Sequence, residues 1–180
     1  MRNRNDDVFK SLDELELSLC LYFNRISQWQ RIERFFAIIS RLGDGIIWYS
    51  LITFIAVLDY TASGLKAASH MMVAGVIGVC IYKYLKTRMV RQRPSTTWTQ
   101  IHRGAAALDL YSFPSGHTLH AVSFTLIAAY YYPGLAWALF PFTTLIALSR
   151  VVLGLHYPTD VIVGAIIGGS LAIASIKIIA

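Results

Sequence analysis

An all-α, polytopic membrane bundle of about five transmembrane helices, preceded by amphipathic interfacial helices, is the fold class the sequence predicts. Three observations carry it. Of 180 residues, 56% are hydrophobic and only 14% are charged, against roughly 25% charged in soluble domains. Apolar runs recur at the length needed to cross about 30 Å of hydrocarbon. Pro and Gly fall largely at the ends of those runs, where helices stop at a membrane surface. With no composition break or internal repeat, the chain reads as one domain over 1–180, with an amphipathic region at 1–43 and a transmembrane core at 44–180.

The opening MRNRNDDVFKSLDELELSLC mixes both signs of charge and lacks the apolar core and small-residue cleavage site of a signal peptide, so no cleavage is expected. Over 13–30 and 30–42, apolar residues recur at helical spacing with charges between them. Leu15, Leu19, Tyr22, Phe23 and Ile26 share one face of the first segment, and Ile32, Phe35, Phe36 and Ile39 one face of the second. That pattern predicts two interfacial helices. The alternative is a short span over 12–26 carrying Asp13, Glu14 and Glu16 at its end.

Spans are predicted at 46–62, 65–85, 115–132, 135–152 and 158–177. Asp44 and Asp59 bracket the first, and Lys66 and Lys83 snorkel from the ends of the second. Tyr130, Tyr131 and Tyr132 form an interfacial belt at the end of the third, before a turn at Pro133 and Gly134. Cys20 and Cys80, far apart and without CxxC spacing, read as packing residues.

Between Asp59 and Asp109 there is no carboxylate, yet Lys66, Lys83, Lys86, Arg88, Arg91, Arg93 and Arg103 all lie there. Alone, that stretch reads as positive-inside loop charge. Particular spacings turn it into an anion site. Lys86 and Arg93 are seven positions apart, two helical turns, so one helix face would aim both at one point, with Pro94 ending that helix. Pro114, Ser115, Gly116 and His117 open the third span, where free backbone amides and partial positive charge make an anion cradle. Arg150 ends the fourth span, His156 sits in the link to the fifth, and Asp160 follows four residues later in its first turn. A carboxylate on one imidazole nitrogen fixes the tautomer and frees the other nitrogen to attack phosphorus. Each feature has a plain structural explanation as a cap, anchor or loop charge. Because consecutive spans alternate direction, however, all three groups fall at one membrane face.

These groups read K-x6-R-P over 86–94, P-S-G-H over 114–117 and S-R-x5-H-x3-D over 149–160, and with every position filled the chain resembles the type 2 phosphatidic acid phosphatase superfamily. The resemblance implies a membrane helical bundle and a two-step hydrolysis of a lipid phosphate without metal or other cofactor. His156 would be the nucleophile, Asp160 its orienting partner, and His117 the acid that protonates the leaving oxygen and then the base for water. Lys86, Arg93, Ser115, Gly116 and Arg150 would bind the phosphoryl oxygens. Opposite protonation states in two imidazoles predict a bell-shaped rate profile. The N-terminal region departs from the pattern, since many bacterial relatives carry an additional first span.

The resemblance implies a lipid phosphate and the bilayer of a bacterial inner membrane as partners, and not nucleic acid. Polyprenyl diphosphate, phosphatidylglycerophosphate, phosphatidic acid and lipid A phosphates all fit, as does a phosphotransferase using the same intermediate or an idle scaffold keeping the motifs as caps. His120, three residues beyond His117, could join His156 and Asp160 in a zinc-like set, which the neighbouring cations disfavour. His102 is a candidate headgroup contact and His70 belongs to the opposite membrane side. With five spans, the motif-bearing face holds fourteen of sixteen Lys and Arg residues, a cytoplasmic signature. Relatives with an extra first span have their site on the outer face, so the orientation stays open.

Overall fold

The computed structural model describes residues 4–59 and 61–179. Within them the chain forms helices α1 (Arg4–Ile26), α2 (Gln30–Arg41), α3 (Ile47–Leu58), α4 (Ala62–Arg88), the single turn α5 (Pro94–Thr97), α6 (Gly116–Tyr131), α7 (Ala136–Val152) and α8 (Pro158–Ile179). Four helical stretches are long and apolar enough to cross a membrane: Gln30–Leu58, Ala62–Arg88, Pro133–Val152 and Pro158–Ile179. The third expected span, α6, has 16 residues, about 24 Å at 1.5 Å per residue. Its short length follows from its place. It packs against α8, α4 and α7, and Leu119, Ala121, Ile127 and Ala128 are wholly buried, so protein encloses much of its surface.

The first span departs from expectation. The break placed before residue 46 is a kink within one 29-residue helical stretch: α2 runs through a π-turn, Leu42–Ile46, directly into α3. Gly45, at φ 128, absorbs the change of direction that a side chain would resist. At the far end Asp59 accepts from the Thr61 hydroxyl, and Thr61 in turn caps α4 by accepting from the Gly64 amide. Ala62 therefore opens α4 and does not close the preceding span.

Helix α1 is amphipathic with an inverted sense. Its inward face carries Asp13, Glu16, Cys20 and Asn24, all buried, while Leu15, Leu19 and Tyr22 point outward. Asp13 bonds Arg91, Glu16 bonds Thr159, and Asn24 bonds the carbonyls of His102 and Val152. These contacts extend over eleven residues of α1, about 16 Å, yet all their partners lie at the end of the bundle where α7 stops and α8 starts. Helix α1 therefore lies across that end, as an interfacial helix does.

The tightest packing joins α6 and α8. Gly164, Gly168 and Ala172 recur every four residues on α8, a small-residue stripe of the kind that lets membrane helices approach closely. A Cβ on Gly168 would lie 2.2 Å from the Leu119 carbonyl oxygen, and one on Gly164 2.6 Å from that of Ser115. Since the obstacle is backbone, it cannot rotate away. Gly168→Ala is expected to destabilise the fold by about 1–3 kcal/mol, read as a lower Tm in detergent, and an unchanged Tm would contradict this packing.

Candidate active site

Four elements bring the motif residues together. Helix α4 supplies Lys86 from its last turn, α6 opens with Gly116 and His117, α7 contributes Arg150 from its last turn, and the link to α8 carries His156. These five and Arg93 line one cavity of about 850 Å³. Its other end is apolar, with Trp48, Ile52, Val76, Val79 and Phe124 from α3, α4 and α6. Ser115 and Asp160, both fully buried, stand behind the wall. Ser115 caps α6 through the Thr118 amide, and its own amide donates to the Asp160 carbonyl at 3.0 Å, which ties the start of α6 to the start of α8.

Lys86 and Arg93 converge by a different route from the one the spacing suggests. No single helix carries both: α4 stops at Arg88, residues 90–93 are non-helical, and Pro94 begins α5. Proline suits a first helical position because its missing N–H has no partner to lose. The two cations still meet, on Asp109, whose Oδ1 lies 2.7 Å from Lys86 Nζ and 2.6 Å from an Arg93 terminal nitrogen. Asp109 also lines the cavity.

His156 is buried, and Arg93 Nη1 donates to its Nε2 at 3.3 Å. A guanidinium can only donate, so this contact requires a lone pair on Nε2 and leaves the proton of the neutral ring on Nδ1. Nδ1 faces Asp160 Oδ2 at 3.5 Å and has no hydrogen-bond partner. Burial, followed by the fields of Arg150, Arg93 and Lys86, holds the ring well below the usual imidazole range. His156 thus presents a neutral imidazole whose Nε2 lone pair is held by the Arg93 guanidinium. Arg150 donates to the Ser40 hydroxyl, while its Nε is buried and unpartnered. His117 bonds Asp44, which projects from the π-turn into the same cavity.

Several of these residues escaped the motif reading. By sequence alone Arg91 is one loop charge among seven. It is fully buried, with Nη1 2.6 Å from Asp160 Oδ1, Nη2 2.7 Å from both Asp13 and Glu16, and its guanidinium 3.9 Å from the Tyr157 ring centre. Asp160 accepts from the Tyr157 amide at 2.9 Å as well. The available signal was the pair Asp13 and Glu16 on the helix face opposite the leucines. Asp44 was legible only as a carboxylate between two glycines at a span entrance.

The remaining histidines have plain partners. His120 bonds the carbonyls of Gly116 at 2.8 Å and Gly75 at 3.2 Å. His102 pairs with Glu33 at 3.0 Å. His70 bonds Ser175 and Tyr131 at the opposite end of the bundle. Among the described residues no three His, Cys, Asp or Glu side chains are gathered as a ligand set for a metal ion.

Comparison with known proteins gives concordant likenesses. The model of the PAP2 superfamily matches residues 64–180. An undecaprenyl-diphosphatase of Sulfolobus acidocaldarius is 24% identical over 91% of this chain and 77% of its own length. The undecaprenyl-diphosphatase BcrC of Bacillus subtilis is 32% identical over 62% of this chain and 55% of its own. Among solved structures, LpxE of Aquifex aeolicus superposes with a TM-score of 0.79 at 26% identity, covering 91% of this chain and 95% of that one. The transmembrane PAP2 type phosphatidylglycerolphosphate phosphatase of Bacillus subtilis superposes at 0.72 with 22% identity, over 95% and 86%, a likeness of fold. A polytopic helical bundle with a cation-lined cavity at one end, in such company, defines the class as an integral membrane phosphatase, a hydrolase of phosphoric esters. The chain belongs to the PAP2 superfamily.

Arg91→Met would leave Asp160, Asp13 and Glu16 without their common cation. Removing one partner of a buried ion pair costs about 3–5 kcal/mol, so a clear loss of Tm is expected, together with loss of phosphatase activity. A variant of unchanged Tm would mean the cluster is not buried.

Proposed function

We propose that this protein hydrolyses the phosphate or diphosphate headgroup of a membrane lipid through a phosphohistidine at His156, with a prenyl diphosphate as the favoured substrate. The observation that carries the reading is the contact of Arg93 with His156 Nε2, which presents a lone pair from a buried ring next to a phosphate-binding cation. The apolar end of the cavity suits a lipid tail. The names of both curated relatives support the diphosphate.

In the first step the Nε2 lone pair forms the N–P bond as the bond from phosphorus to the leaving oxygen breaks. His117 gives that oxygen its proton, and Asp160 faces the positive charge that develops on the His156 ring. Lys86, Arg93, Arg150 and the Gly116 amide offset the charge on the transferred oxygens, and Ser115, from behind the wall, holds the start of α6 that presents that amide. To reach Lys86 and Arg93 the substrate displaces the Asp109 carboxylate, an exchange of one anion for another. In the second step a water oxygen attacks phosphorus, its proton passes to His117, and the N–P electron pair returns to Nε2 as phosphate departs.

The test is phosphate release by the purified protein from a panel comprising a polyprenyl diphosphate, phosphatidylglycerophosphate, phosphatidic acid and lipid A, with His156→Ala as control. Release that His156→Ala abolishes, fastest on the prenyl diphosphate, is expected; unchanged turnover in that variant would sink the reading. Adding alcohol acceptors distinguishes transfer, which would lower free phosphate, from hydrolysis, which would not.

The pH dependence has a definite sign. His156 must be neutral to attack, and its ring is held below the usual imidazole range. Once corrected for substrate ionisation, kcat/KM should therefore hold as pH falls through about 6.5, with its acid limb below that value. An acid limb at or above the ordinary imidazole value would contradict the assignment.

A further inference from the structure

We propose that Asp44 is a positioning residue for His117, forming with it a second Asp–His pair that serves leaving-group protonation. This rests on the reading of the site given above and adds a residue outside its three motifs.

Two independent observations lead to it. The first is the contact itself: His117 Nε2 bonds Asp44 Oδ1, and both residues line the cavity. The second is the backbone that delivers the carboxylate. Asp44 lies in the π-turn between α2 and α3, flanked by Gly43 and Gly45. Turns of this kind interrupt a helix at a cost and are frequent at functional sites. Gly45 is needed to make it, and Gly43 lets it sit close against α7. Gly45 has φ 128, a conformation side chains resist. A Cβ on Gly43 would lie 3.1 Å from the Ile146 side chain of α7. The chain thus breaks its longest helical stretch at the one place where doing so sends a carboxylate to His117. A carboxylate within an apolar membrane stretch is expensive unless it is used.

The chemistry gives it a use. A protonated His117 has two cations near it, Arg150 from α7 and Lys86 from α4, and His156 from the α7–α8 link also faces the cavity. Asp44 is the carboxylate in contact with the ring, supplying the counter-charge an imidazolium needs there. With Asp44 on Nε2, that nitrogen keeps its proton throughout, and Nδ1 remains to work on the substrate. In the first step Nδ1–H passes its proton to the leaving oxygen, and the ring becomes neutral with Nε2–H still on Asp44. In the second step the Nδ1 lone pair takes the proton of the attacking water, which restores the starting state. The carboxylate itself is never protonated.

Leaving-group dependence separates this role from mere support of the fold. An alkoxide must be protonated as it departs, whereas 4-nitrophenolate leaves without help. In detergent, Asp44→Asn should lower kcat/KM, which reports only the steps through departure of the leaving group, on dodecyl phosphate by about tenfold or more, within the range typical of acid–base assistance, while changing kcat/KM on 4-nitrophenyl phosphate by less than about threefold. Asp44→Glu should recover part of the loss on dodecyl phosphate. Equal losses on both esters, or no loss on either, would overturn the proposal, and measured Tm values identify a variant that has simply failed to fold. Activity persisting in His156→Ala would instead overturn the reading of the site, so the two failures are distinguishable.

Discussion

The Arg91 guanidinium, held between Asp160 of α8 and the Asp13 and Glu16 carboxylates of α1, is the interaction on which the site end of the bundle depends. Asp160 has to be buried to stand behind His156, and an ionised carboxylate there is tolerable only with a counter-charge and a full set of hydrogen bonds. Arg91 supplies the first, and with the Tyr157 amide it supplies the second. The guanidinium has donors to spare, and Asp13 and Glu16 of α1 accept from them. An interfacial helix outside the motif-bearing core is in this way coupled to the carboxylate behind His156.

The same balance recurs across the cavity. Lys86, Arg93 and Arg150 gather positive charge around the cavity, which would be costly without anions nearby. Asp109 meets Lys86 and Arg93, and Asp44 meets His117. The two carboxylates differ in what they do when substrate arrives. In the proposed mechanism Asp109 holds the cations that the phosphoryl oxygens would take and has to yield, whereas Asp44 sits on a ring nitrogen and can remain.

Much of this was legible in the sequence, and the limits have physical causes. Apolar runs gave the passes through the membrane because lipid forces each to satisfy its own backbone hydrogen bonds. Alternation of direction then gathered Lys86, His117, Arg150 and His156 at one end without reference to any contact. The path between Lys86 and Arg93 was misread because seven residues fit two helical turns, and nothing short of tertiary packing reveals that α4 stops at Arg88. The join of α2 to α3 was hidden by Gly43 and Gly45, which signal a break in propensity and here make a π-turn. Arg91, Asp13 and Glu16 could not be paired in advance, since their contacts span 75 residues or more of sequence.

The most direct measurement is to trap the phosphoenzyme. In the proposed mechanism His117→Ala removes the group that activates water, so phosphate transferred from a substrate with a good leaving group should accumulate on the protein. Rapid quenching at alkaline pH, which preserves phosphoramidate bonds, followed by mass spectrometry of peptides, should find the phosphate on His156. Phosphate on another residue, or stoichiometric turnover with no covalent species at any time, would contradict the account.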